Sequence, residues 1–145
     1  MEIFEIVSLN ISKKKGEPKT PVSSLTLRER HGIVGDAHAG DWHRQVSLLA
    51  MEDVEKMQKK LCTISPGDFA ENITTRGIDL PSLPIGAIVT FGDVILEVTQ
   101  IGKTCHKGCA VTQQIGECIM PRNGIFAIVI KGGVITNESI GRYSL

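Results

Sequence analysis

Residues 87–100 read Ala87-Ile-Val-Thr-Phe-Gly-Asp-Val-Ile-Leu-Glu-Val-Thr-Gln100, and this stretch decides the fold class. Ala87–Phe91 and Val94–Gln100 are short apolar runs, rich in β-branched residues and too short for independent helices. Gly92-Asp93 between them supplies a tight turn, so the stretch is expected to be a β-hairpin. Moving outward, Pro81 and Pro84 flank a loop ending at Gly86. On the other side the second strand delivers the chain into residues 100–133.

That segment holds Cys105, Cys109 and Cys118, with His106 beside the first and Lys103, Lys107 and Arg122 close by. Ala110–Ile115 is expected to make one or two helical turns that stop at Gly116. Pro121 and Gly124 mark a turn, and the apolar run Ile125–Ile130 reads as a buried strand that would brace the cysteine loop. Gly132-Gly133 then turns into a last strand at Val134–Thr136.

Toward the N-terminus, Ala50–Leu61 carries apolar residues at helical spacing, with acids early and lysines late, an order that complements the helix dipole. Met51 and Met57 read as packing, and Cys62, just beyond, as a small buried hydrophobe. Glu2–Ile11 is expected to be a first strand offering Ile3, Ile6, Val7, Leu9 and Ile11 to a core. Ser12–Pro21 reads as an exposed turn whose lysines are solvated, and Val22–Leu27 as a second strand. Pro66–Asp68 is a turn, Phe69–Thr74 a short extended piece in which Glu71 and Asn72 interrupt the apolar pattern, and Thr75–Gly77 another turn. Fifteen glycines, six prolines and few aromatics suit a β-rich domain filled by aliphatic side chains.

The chain has 145 residues, enough for one core, and a single domain spanning 1–145 is expected. Sixteen basic residues balance sixteen acidic ones. No long-range field therefore draws the protein to nucleic acid or an anionic membrane. No apolar stretch reaches the length of a membrane span, and the start lacks a signal peptide pattern, so a cytoplasmic protein is expected. In a reducing compartment the four cysteines read as free thiols, metal ligands or catalytic groups rather than disulfides.

Cys105-His106-Lys107-Gly108-Cys109, with Cys118 beyond, is neither a zinc ribbon nor a thioredoxin motif. In one reading Cys105 or Cys109 is a thiolate that carries sulfur as a persulfide or ligates a soft metal such as molybdenum. Lys103, Lys107 and a protonated His106 would then lower its pKa. In a second, the cysteines with His106, His38 or His43 close a structural zinc site. In a third they only pack. A second residue-rich loop, Gly32–Gln45, offers Asp36, His38, Asp41, His43, Arg44 and the only tryptophan, Trp42. Its glycine spacing matches neither a Walker loop nor a dinucleotide fingerprint, so phosphate binding there would rest on Arg44 and backbone N–H groups. His31 reads as an ordinary surface histidine, and His38 and His43 as ligand or substrate contacts.

These blocks, Gly32–Leu48, Pro66–Thr74, Pro84–Ala87 and the cysteine segment from Gln100, resemble the MOSC family, named for the C-terminal domain of molybdenum cofactor sulfurase. The resemblance is greatest to short, stand-alone bacterial members. It implies a mainly β fold, a small closed barrel with one amphipathic helix and short helical turns. It also implies handling of molybdenum cofactor, with Cys105 as the family cysteine and metal ligand and Cys109 as its rival. Gly35, Asp36, Arg44, Glu71 and Asn72 match other family blocks and would line the same cleft. The desulfurase domain of full-length sulfurases is lacking, so pyridoxal phosphate is not expected. The N-terminal extension of amidoxime-reducing relatives is lacking too.

The resulting expectation is binding of molybdopterin between the His38–Arg44 loop and the Cys105–Cys109 loop, with a molybdoenzyme or cofactor-biosynthesis protein as partner. Arg44, Lys103 and Lys107 would meet the phosphate, and Asp36, Glu71 and Asn72 the amino and amide edge of the pterin, with His38, His43 and His106 nearby. The alternatives are a molybdenum-dependent reductase of N-oxygenated small molecules and a zinc-stabilised binding module.

Overall fold

The computed structural model describes residues 2–15, 17–102 and 124–144. Its strands are β1 (Glu2–Ile11), β2 (Thr20–Val22), β3 (Ser24–Arg28), β4 (Gly32–Ile33), β5 (Val46–Ala50), β6 (Ile73–Arg76), β7 (Ile88–Phe91), β8 (Val94–Ile101), β9 (Ile125–Lys131), β10 (Gly133–Thr136) and β11 (Ile140–Ser144). The α-helix among the described residues is α1 (Met51–Gln58), and Leu80–Ser82 forms one 3₁₀ turn. No helix among the described residues is long and apolar enough to cross a membrane.

Seven strands close into a barrel in the order β1, β6, β5, β9, β8, β7, β11, and β11 returns to pair with β1. Closure leaves no free edge within the ring, which removes the hazard of unpaired strand groups. Only the β5–β6 pair in the ring is parallel. The crossover between them carries α1, as a parallel connection requires. A smaller sheet, β10–β3–β4, supplies Leu25, Leu27, Ile33 and Ile135 to the same core.

The hairpin of residues 87–100 forms as expected, with Phe91 opposite Val94, and in β8 the inward residues Val94, Leu96 and Val98 are all buried. β1 departs from simple alternation. Its register with β6 shifts between Ile6 and Ser8, a bulge that moves the inward face from Phe4 and Ile6 to Leu9. Ile3 and Val7, expected in the core, are therefore exposed, and Phe4 is buried instead. The same bulge places Ser8, Asn10 and Ser12 together on the outer face, where loops bury them.

Several expectations need correction. The helix is shorter than Ala50–Leu61, because Ala50 is the last residue of β5, a wholly buried strand that periodicity did not separate from the helix. The extended piece expected at Phe69–Thr74 begins four residues later, at Ile73, and runs through Arg76. The second strand divides at Ser23. Cys62 is exposed rather than buried. β11 was not expected at all: it shows one buried residue, Gly141, although it closes the barrel. A Cβ on Gly141 would collide with the Phe4 ring, which packs edge-on against Phe91 with centroids 5.6 Å apart. Closure therefore needs glycine where the two elements meet.

α1 lies on the outside of the barrel. Val54 and Met57 join Leu49, Ile64, Phe69 and Phe126 in a second apolar cluster, with Met51 packed beside it. Glu52 accepts the Gly77 N–H at 3.0 Å and Glu55 meets Arg76 at 3.0 Å, tying the helix to the end of β6. The expected helical turn at residues 110–115 lies outside the described residues.

Candidate functional site

The loop after β4 is anchored by a buried ion pair. The Lys19 Nζ lies 2.8 Å from Asp36 Oδ1, and both side chains are fully buried. The ammonium also donates to Ser12 Oγ at 3.0 Å and meets His38 Nδ1 at 3.0 Å, an acceptor for each of its three protons. Asp36 further accepts the backbone N–H groups of Ser12 at 3.1 Å and His38 at 3.0 Å. Burial alone would raise the Asp36 carboxyl, but these bonds and the Lys19 charge outweigh it and hold the group below its ordinary value. Lys19 corrects the reading of Ser12–Pro21 as uniformly solvated: Lys13, Lys14 and Lys15 are exposed, whereas Lys19 is buried.

This anchor sets the position of the next residues. The Trp42 indole donates to the His38 carbonyl at 2.8 Å, which fixes the ring. The Arg44 guanidinium lies 4.6 Å from the Trp42 ring centroid and 5.8 Å from that of Phe126, on β9. Its Nε is buried and has no hydrogen-bond partner among the described residues. Lys15 approaches the same indole, with Nζ 5.3 Å from the centroid. Each such contact contributes about 0.5–1 kcal/mol at an exposed site.

His43 ties the loop to the start of the cysteine-bearing segment. Its Nε2 lies 2.8 Å from Gln100 Oε1, and Gln100 donates onward to the Gly102 carbonyl at 2.6 Å. The Thr99 hydroxyl donates to the His43 carbonyl. Gly102 N–H reaches the Gly124 carbonyl at 2.7 Å, so segment 103–123 leaves and rejoins the described chain at one place. A cleft of about 470 Å³ opens beside Trp42 and His43, bounded by Glu29, Arg30, Asp41, Thr99, Ile128 and Ile130. Arg30 borders it from a left-handed backbone conformation, φ 59°.

Glu71 and Asn72 lie elsewhere, under the outer face of β1. Asn72 Oδ1 accepts from the Ser47 N–H at 3.0 Å and from its hydroxyl at 3.1 Å, and its amide donates to the Asn10 carbonyl at 3.3 Å. Glu71 Oε2 accepts from the Gly67 N–H at 3.0 Å and the Thr74 hydroxyl at 2.8 Å, while Oε1 is buried without a partner. Burial pushes the Glu71 carboxyl up to about 7, although the Gly67 and Thr74 bonds pull the other way. Both residues are completely buried, so they hold the 66–72 loop against β1 and β5 and offer no open surface.

Of the candidate residues, His38, His43 and Arg44 each contact Trp42, His43 also lines the cleft, and Asp36 is buried beside His38. Glu71 and Asn72 stand apart. Cys105 and Cys109, with Lys103, His106 and Lys107, lie outside the described residues. Among the described residues no group of three or more histidine, cysteine, aspartate or glutamate side chains is arranged to hold a metal ion. Sequence reasoning missed Lys19, Lys15 and Gln100. Lysines in a proline-punctuated loop carry no local sign of burial, and a glutamine at the end of an apolar strand reads as its boundary.

A family model described as the MOSC domain matches residues 35–138. Comparison with curated protein sequences finds no match. Among solved structures, the YuaD protein from Bacillus subtilis superimposes with a TM-score of 0.82 at 20% identity, covering 99% of this chain and 97% of that one. YiiM from Geobacillus stearothermophilus gives 0.74 at 20% identity, covering 98% and 75%. YiiM from Escherichia coli gives 0.73 at 16% identity, covering 100% and 71%. At these identities the structural likeness speaks for the fold alone, and the family match, over most of the chain, carries the assignment: the protein belongs to the MOSC domain family.

Proposed function

We propose that this chain binds molybdenum cofactor, or its pterin precursor, beside the 38–44 loop where it joins Gln100, and that it handles the cofactor's sulfur or metal through Cys105. The observation that carries this reading is the pair of links at the base of that segment. His43 bonds to Gln100, and Gly102 bonds to Gly124. Together they hold the loop carrying His38 and Arg44 against both ends of the stretch that contains the cysteines. MOSC domains are associated with molybdenum cofactor proteins, which supplies the ligand class.

The residues of this loop fit such a ligand. Arg44 has a buried Nε with hydrogen-bonding capacity unspent, and its planar fork suits a phosphate. His38 and His43 offer ring nitrogens beside it, and Lys103, His106 and Lys107 would favour a thiolate at Cys105 or at its rival Cys109. Bound molybdenum would supply redox chemistry or an exchangeable sulfur. Asp36, Glu71 and Asn72, expected at the pterin edge, take part in this proposal by holding the loops in place.

Anaerobic loading with molybdenum cofactor provides the test, comparing wild type with Cys105→Ser and Cys109→Ser. Retention of cofactor and sulfur should drop at least tenfold in Cys105→Ser and stay near wild type in Cys109→Ser. Equal retention in wild type and Cys105→Ser would overturn the assignment of the cysteine.

A further inference from the structure

We infer that Lys15 and Arg44, brought to one tryptophan ring from two separate loops, form a phosphoryl-anion site in which Lys15 is the second cation. The inference rests on the proposed ligand site and names what its charged rim recognises. Lys15 comes from the β1–β2 loop, which the Lys19–Asp36 pair pins against residues 36–38. Arg44 comes from the end of the next loop, just before β5. Both reach the Trp42 indole, at 5.3 Å and 4.6 Å from its centroid, so the two charges stand no more than about 10 Å apart. That separation is comparable to the Debye length at physiological ionic strength, and the charges feel one another.

Among the described residues no carboxylate forms an ion pair with either cation. Three other cations do have such a partner: Lys19 with Asp36, Lys56 with Asp53, Arg76 with Glu55. At Trp42 two positive groups are held beside one ring with no ion-pair partner among the described residues, and one of them keeps a buried N–H unspent among them. Fixing like charges together costs energy unless an anion joins them. A tetrahedral phosphoryl group, with several acceptor oxygens and more than one negative charge, satisfies both cations at once, whereas a monocarboxylate would not neutralise them. The Trp42 indole is held by its bond to the His38 carbonyl, so both cations stand beside a ring of fixed position. Lys15 is exposed and reachable by ligand.

Trp42 is the only tryptophan, so intrinsic fluorescence reports this site directly. Inorganic phosphate, pyrophosphate and adenosine monophosphate would each be titrated at constant ionic strength against a chloride control. Saturable change is expected, with affinity falling about tenfold in Lys15→Ala and further in Arg44→Gln, and unchanged in the neighbouring charge control Lys13→Ala. Melting curves establish that each variant is folded, and Lys15→Ala carries the test should Arg44→Gln fail to fold. Tightest binding of inorganic phosphate would point to a free anion as the source. Tightest binding of adenosine monophosphate would point to a phosphate ester on a planar ring. A response no larger than that of chloride, or Lys15→Ala binding as tightly as wild type, overturns the inference. Repeating the titration on Cys105→Ser separates it from the cofactor proposal: the phosphate response survives there even if no cofactor or sulfur is ever retained.

Discussion

Two polar clusters flank the outer face of β1, and they are built on opposite terms. Ser8, Asn10, Ser47, Glu71, Asn72 and Thr74 interlock within the protein, and of their side-chain atoms only Glu71 Oε1 is an unpartnered buried one. The other cluster begins equally buried, at Lys19, Asp36 and Ser12, but runs outward through His38 and Trp42 to Arg44 and Lys15, where charge is left unneutralised. A polar group that is buried and bonded specifies the fold, while one held rigidly with capacity to spare is available to a ligand. By this criterion Asn72 belongs to the scaffold, and Arg44 is a residue the proposed site can use.

The largest expected effect lies at the inner end of the second cluster. Lys19→Met strands the Asp36 carboxylate in the interior and should cost about 3–5 kcal/mol in urea or thermal unfolding. Asp36 has a depressed carboxyl, so its stabilising contribution is present above its ordinary value of 3.8 and is lost as pH falls through the lower folded value. A melting temperature unchanged in Lys19→Met would show that the anchor is dispensable.

Asn72→Ala comes next. It removes the acceptor of the Ser47 N–H and hydroxyl, and a loss of about 3 kcal/mol is expected without any specific effect on phosphate affinity in the folded fraction. Weakened phosphate binding by folded Asn72→Ala would blur the division between scaffold and site.

Glu71→Gln sharpens the comparison through pH. The Glu71 carboxyl is raised to about 7 from 4.5, so the native state holds the extra proton, and stability is highest below 4.5 and falls as pH rises through about 7. The glutamine oxygen keeps the Gly67 and Thr74 bonds and never ionises. The variant should therefore be more stable than wild type at pH 8, by on the order of 2 kcal/mol, with the advantage vanishing near pH 4. Parallel stability curves across that range would contradict a buried titrating carboxyl.

The smallest effect on stability belongs to the outer end. Lys15→Ala should shift unfolding by no more than about 1 kcal/mol, the loss of its contact with Trp42, while changing anion affinity. That pairing is the reverse of the one expected for Asn72→Ala.

The strands legible in sequence were those whose periodicity is uninterrupted, such as Val94–Gln100 and Ile125–Ile130. β1 was legible as a strand but not in its facing, because a bulge exchanges the buried face halfway and no residue type announces it. β11 escaped because barrel closure is decided by a partner far along the chain: Gly141 matters for the Phe4 ring above it, a contact no local pattern contains. In the proposed site, His38, His43 and Arg44 stand out in sequence by the density of chemistry-bearing residues between glycines. Lys19 was not, since its burial depends on Asp36 meeting it across the loop. Glu71 and Asn72 matched a family block, and their burial shows that a block can serve the framework of a site rather than its surface.

A native mass spectrum of protein purified without oxygen tests most directly whether this chain handles molybdenum cofactor through Cys105. A pterin-sized or single-sulfur adduct is expected on wild type and should disappear in Cys105→Ser. An adduct retained undiminished in Cys105→Ser, or one zinc ion and nothing else on wild type, would contradict the proposal.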